Sequence, residues 1–245
     1  MKKEYGFILI TYILMQFSGY IGIPLLFKIG VSTGVEQNEM EMLAIGYWTV
    51  ISFALATVII LLILRKSAYV NRIENQISLS TGKLIFWSIT GVFLAFSAQY
   101  AAIIIETAIG IGQGSENTQD IIQLVEWVPL TMLSVALFGP ILEEIVFRKI
   151  LFGSLYERIP FFFAALISAF IFSIAHRELE HFLLYAAMGF TFAFLYVKTK
   201  RLIVPIVAHV SMNSIVVLMQ YVFADDIEKM IKKAEQAQQF ILWFS

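Results

Sequence analysis

The chain has 245 residues, of which 59% are hydrophobic and only 14% charged, and its net charge is -1. An ordinary soluble domain is about one-quarter charged, and a soluble chain of this size could not hide so much apolar surface. The bilayer must therefore be the solvent. A disordered chain and a nucleic-acid binder are excluded, and with no cysteine there are no disulfides, thiolate metal sites or cysteine nucleophiles.

A spanning helix needs about 20 apolar residues. In chain order the runs predict spans over 5–27, 42–64 and 84–105, all within an N-terminal part, 1–120. A fourth span begins near Ile121, passes Pro129 and Leu142, and continues through Glu143, Glu144 and Arg148 to about Tyr156. Phe161–Ala175 is a short fifth, 182–197 the sixth and 202–223 the seventh. The polar stretch 225–239 ends in an apolar tip, so 225–245 reads as an interfacial amphipathic helix. The expected fold is an all-α polytopic bundle of seven spans forming one integral membrane domain. The first apolar run exceeds the roughly 7–15 residues of a signal peptide core, so it is expected to stay as an anchor.

Cations set orientation. Lys2 and Lys3, then Arg65, Lys66, Arg72 and Lys83, then Lys149 and Arg158, then Lys198, Lys200 and Arg201 fall in alternate connections. The other loops carry Glu36, Glu39 and Glu41, then Glu106, Glu116 and Asp120. This pattern predicts a cytoplasmic-membrane protein with its N-terminus in the cytoplasm.

The informative polar residues interrupt apolar runs, where each ionisable side chain costs about 2.5–3.5 kcal/mol. The first group lies in Gly139-Pro140-Ile141-Leu142-Glu143-Glu144-Ile145-Val146-Phe147-Arg148. Glu144 and Arg148 are i,i+4 neighbours in the better orientation for an ion pair. Glu143 has Phe147 at its own i+4 position and no cation on its stripe, which suits a proton-transfer group. Alone, such a pair also fits a helix end at the cytoplasmic interface. The second group is Phe172 and His176, closing an apolar span, which alone also fits an interfacial histidine. The third is His209 and Asn213, on one helix face, which could instead form helix–helix hydrogen bonds. Together they supply a base, two imidazoles and an amide, enough to activate a water and stabilise an oxyanion. His181, in the charged turn Arg177-Glu178-Leu179-Glu180-His181, reads as solvated.

Other intramembrane chemistries lack their residues. Asp120, Asp225 and Asp226 all lie outside the expected spans, so a pair of intramembrane aspartates is missing. No HExxH and no in-span GxSG occurs either.

Glu143, Glu144 and Arg148, then Phe172 and His176, then His209 and Asn213, on successive helices, resemble the motifs of the CPBP family. That family comprises CAAX-type prenyl-protein proteases and bacteriocin-processing (Abi) proteins. The resemblance spans 129–217 and implies an intramembrane endopeptidase core. It implies that Glu143 and His176 activate water, that His209 and Asn213 form the oxyanion hole, and that Glu144 and Arg148 brace the site, with Phe172 in support. No metal is expected; if one is present, Glu143, His176 and His209 would be the ligands of a zinc or other divalent ion.

The implied substrate is a peptide or protein at the membrane, within secreted-peptide (bacteriocin or pheromone) maturation or immunity. The alternative is a non-catalytic membrane regulator of a sensor kinase or other membrane partner. Hydropathy alone strains against convergence: His176 ends its span on the far side, so the three groups meet only if helices tilt or His176 lies on a recessed loop.

Overall fold

The structure is a computed structural model that describes residues 3–66, 73–77, 79–112 and 116–223, with the backbone alone at 116–118. Every element among these residues is helical. The tail read as an interfacial helix, 225–245, lies outside the described residues.

The first apolar run is not one helix. It forms α1 (Lys3–Phe17) and α2 (Gly19–Ser32), bent by 42°. The break falls at Ser18-Gly19, a pair of the kind that kinks helices. The Ser18 hydroxyl donates to the Met15 carbonyl at 2.7 Å and accepts the Trp48 indole N–H at 3.0 Å. Gly22 then lets α2 close on that indole: a Cβ there would sit 1.9 Å from Trp48 Cε2.

The helices α3 (Gln37–Lys66) and α4 (Thr81–Ala108) are long and apolar enough to cross a bilayer unaided. The expected fourth span is divided at Pro129. A separate α5 (Glu116–Trp127) precedes a continuous helical stretch, α6, over 131–156. After it come α7 (Phe161–Ala175), α8 (Phe182–Thr199) and α9 (Ile203–Val222).

The expected count of seven spans is not reached on length and composition. Among the described residues four helices qualify (α3, α4, α8 and α9), and a fifth if the bent pair α1–α2 is one span. At about 1.5 Å per residue, the 15 residues of α7 reach about 22 Å, short of a hydrocarbon core of about 30 Å. Four charged residues, Glu143, Glu144, Arg148 and Lys149, keep α6 from reading as an ordinary span.

The helices point large apolar side chains outward, among them Leu55, Phe86, Phe93, Phe162 and Phe170. Water would reject such a surface and lipid accepts it. Inside, Leu142, Ile145, Phe147 and Ile150 of α6 pack with Phe172, Phe192, Leu195, Val204 and Ala208. Small residues bring α7 and α8 together: a Cβ on Gly189 would lie 2.8 Å from that of Ala169. The bundle thus wraps α6, whose residues Glu144 to Ile150 are all buried.

Candidate active site

The site begins with irregular helix. Residues Ser134–Phe138 and Glu144–Phe152 of α6 are wound as π-helix, around a short α-helical segment, Gly139–Glu143. Wide turns of this kind recur at functional sites because they re-aim side chains. Pro140 brings no N–H, so one donor is missing from this turn. Five residues before it, the Val135 carbonyl accepts the Asn213 side-chain N–H from α9 at 3.2 Å. Gly139 is needed for this close approach, since a Cβ would meet the Ser134 carbonyl at 2.9 Å.

Glu144 and Arg148 are paired as the spacing predicts, Oε2 to Nε at 3.3 Å, and both are fully buried. Among the described residues, the terminal nitrogens of Arg148 find no hydrogen-bond acceptor. The guanidinium lies instead between two aromatic rings, 5.0 Å from the Phe172 centroid and 5.4 Å from that of Phe192. Cation–π attraction grows when the charge is desolvated, as here. Phe172 thereby gains a packing role, and Phe192 joins it. Phe192 also stacks on His209 at 4.6 Å, and Phe172 lies 4.3 Å from the His176 ring.

His176 is set in place by how α7 ends. It occupies the C-cap, followed by Arg177 in the left-handed region at φ 60°. The Arg177 N–H donates to the Ile174 carbonyl at 3.0 Å and the Glu178 N–H to the Ser173 carbonyl at 3.4 Å. This is the Schellman arrangement, which usually has glycine where Arg177 stands. The helix therefore stops at His176, and the Nδ1–H donates to the Phe172 carbonyl at 2.8 Å. A carbonyl can only accept, so in the neutral ring Nε2 carries the free lone pair.

That Nε2 lies 3.7 Å from Glu143 Oε1, and His209 Nε2 lies 3.7 Å from the other oxygen, Oε2. His209 Nδ1–H donates to Glu144 Oε1 at 2.9 Å. The two adjacent glutamates are thus divided as the helix faces predict: Glu144 is locked between Arg148 and His209, while Glu143 faces two imidazoles across the helix interfaces. Both Glu143 contacts are longer than a direct hydrogen bond. The tertiary structure brings together Glu143, Glu144, Arg148, Phe172, His176, His209 and Asn213, from α6, α7 and α9. The strain between hydropathy and convergence is resolved by the early stop of α7, which leaves His176 at a helix end inside the bundle.

The profile of the type II CAAX prenyl endopeptidase Rce1-like family matches residues 125–215, a stretch holding all seven of these residues. YdiL of Bacillus subtilis (strain 168), which bears the name of a candidate membrane peptidase, is 53% identical over 224 residues, 90% of each chain. The membrane-embedded CAAX protease MroQ of Staphylococcus aureus (strain USA300) is 32% identical over 232 residues, 92% of each chain. The chain belongs to the Rce1-like CAAX endopeptidase family. No solved structure matches it.

For this Rce1-like chain the donor types at the site suit zinc: a carboxylate and two Nε2 atoms whose Nδ1 partners are held elsewhere. Among the described residues, no three His, Cys, Asp or Glu side chains are grouped so as to hold a metal ion.

Three polar residues stand elsewhere than their sequence context suggests. Glu106 is not a loop acid; it lies in the last turn of α4 and is 3% exposed. His181 is not solvated; its Nδ1–H donates to Glu106 Oε2 at 3.0 Å. Lys149 is not a loop cation but a buried residue of α6, donating to Glu74 Oε2. Each partner lies 75 residues away in sequence, so no local pattern could have linked them.

Proposed function

We propose that the protein is an intramembrane endopeptidase that hydrolyses its substrate with a water activated by Glu143 and His176. The observation that carries this reading is the meeting of both Nε2 atoms with the two oxygens of one carboxylate, at 3.7 Å each. A water hydrogen-bonded to Glu143 gives its proton to the carboxylate as its oxygen attacks the scissile carbonyl carbon. The His176 Nε2 lone pair accepts a second hydrogen bond from that water and orients it. When the tetrahedral intermediate collapses, Glu143 returns the proton to the leaving amine.

His209 and Asn213 serve the developing oxyanion. The Asn213 amide has two N–H groups; one is engaged by Val135 and the second is available to the oxyanion. His209 already gives Nδ1–H to Glu144, so its Nε2 can donate only when the ring is doubly protonated. In that form Glu144 accepts the Nδ1–H bond and the oxyanion accepts the Nε2–H bond. Glu144 and Arg148 are the fixed frame for that ring.

The substrate class proposed is a membrane-associated peptide, in the maturation of or immunity to secreted peptides, a reading supported by family resemblance. The N-terminus is proposed to lie in the cytoplasm, as the alternation of cations predicts. Replacing Glu143 by Gln should lower turnover at least about a hundredfold without reducing protein level. The measurement is mass spectrometry of released and membrane-bound peptides from cells carrying either form. Identical peptide profiles, with a phenotype that survives in Glu143→Gln cells, would favour the non-catalytic regulator instead. Treatment of the active enzyme with o-phenanthroline should leave turnover unchanged; inactivation reversed by added zinc would make Glu143, His176 and His209 metal ligands.

A further inference from the structure

We propose that Glu106 and His181 form a latch that positions the His176 imidazole. The proposal rests on the peptidase reading, in which His176 orients the attacking water. Glu106 stands on α4, outside the stretch matched by the family. Its buried carboxylate is used twice, both times at the start of α8. Oε2 takes the His181 Nδ1–H at 3.0 Å and Oε1 takes the Leu184 backbone N–H at 3.0 Å. Leu184 is in the first turn of α8, where N–H groups have no partner within the helix. The residue in the N-cap position is His181, and its side chain makes no capping bond there. A carboxylate from another helix does the capping instead, where the helix dipole also favours negative charge.

The consequence for His176 is mechanical. Residues 176–181 connect the end of α7 to the start of α8, and that connection is tied down at both ends and in the middle. At the first end, the Schellman bonds stop α7 at His176. In the middle, the Glu178 carboxylate accepts the Tyr185 hydroxyl at 2.8 Å, and its carbonyl accepts the Ser173 hydroxyl at 3.0 Å. The Tyr185 ring in turn lies 4.9 Å from the His176 ring and 5.6 Å from Phe172. At the far end, Glu106 holds the His181 ring. Releasing Glu106 frees the first turn of α8, and with it Tyr185, one side of the slot in which His176 sits. His209 is held by Glu144 and Phe192, neither of which lies in 176–181, so a latch acting there leaves it in place.

The chain has three histidines, so ring 15N spectra of the full-length protein in lipid nanodiscs contain three assignable imidazoles. Glu106→Ala and His181→Ala should each shift and broaden the His176 ring signals while the His209 signals stay. His181→Asn keeps a donor near the Nδ1 position and should restore the wild-type His176 signals. On an internally quenched peptide with a prenylated CAAX terminus, both alanine variants should lower kcat about tenfold and leave KM within about twofold. Unmoved His176 signals in the two alanine variants would overturn the latch. So would His176 and His209 signals that move together, which is the mark of a general packing role. If Glu106→Ala does not fold, His181→Ala decides, because it leaves the Leu184 bond intact. Wild type and Glu143→Gln are read on the same peptide: turnover retained by Glu143→Gln removes Glu143 from the role of base, and no turnover by the wild type removes the peptidase reading, while the ring spectra still decide the latch.

Discussion

The outer helices α3 and α4 and the inner helix α8 are all apolar enough to be spans, yet they live in different surroundings. Half of the most apolar stretch of α8 is buried within the protein, against 17% for α3 and for α4. Hydropathy therefore reports that a helix avoids water, not whether lipid or protein covers it. What separates α3 from the site is the polar content of the covered faces. The buried face of α3 offers Ser52 and Thr57, whose hydroxyls fold back onto their own helix at 3.2 Å and 2.7 Å. The buried titratable groups of α6 are Glu144, Arg148 and Lys149, with His209 against them, and each of these pairs with a distant side chain or ring. Charges buried in a bundle must find partners there, and the partners dictate the tertiary arrangement.

The contrast can be broken most forcefully at Arg148. Arg148→Ala leaves Glu144 without its buried cation, an uncompensated loss that costs about 3–5 kcal/mol. Protein level and thermal midpoint in nanodiscs should both fall. A variant of unchanged stability that is nonetheless inactive would move Arg148 from frame to chemistry. The outer region is probed at Gly22, where the obstacle to a larger residue is Trp48. Gly22→Ala overpacks the α2–α3 contact and should cost about 1–3 kcal/mol. The kcat of the folded fraction should stay at its wild-type value; a lower kcat would show that α2 communicates with the site. The smallest effect is expected at Arg177, held in the left-handed region without being glycine. Arg177→Gly relieves that strain, at some cost in unfolded-chain entropy, and should raise stability by up to about 1 kcal/mol. Destabilisation instead would mean that the Arg177 side chain contributes a contact worth more than the strain.

The legible part of the site is the part written in short-range spacing. Glu144 and Arg148 are four apart on one helix, and their pairing follows from that alone. Glu143 is separable from Glu144 because successive positions on a helix point in different directions. Where signals are long-range or depend on backbone exceptions, the sequence is silent. The end of the apolar run at Ala175 marks where α7 stops but not how, because Arg177 occupies a position that glycine normally marks. Glu106 looks like one more acid in a cation-poor loop, and its partners, 75 and 78 residues on, can be found only in the folded chain. Lys149 is drawn toward a loop by the same reasoning that makes cations mark membrane edges, and Glu74 is what lets it stay inside.

By itself the sequence determined the solvent, because 59% hydrophobic residues leave no alternative to lipid, and it singled out candidate site residues, because polar residues survive inside apolar helices only at a cost that something must justify. Only the tertiary structure decided which of those groups meet. The break at Ser18, the π-helical winding around Pro140 and the left-handed turn at Arg177 are each local departures from regular helix. Periodicity describes regular helix and cannot register such departures, yet these set where side chains from three helices point.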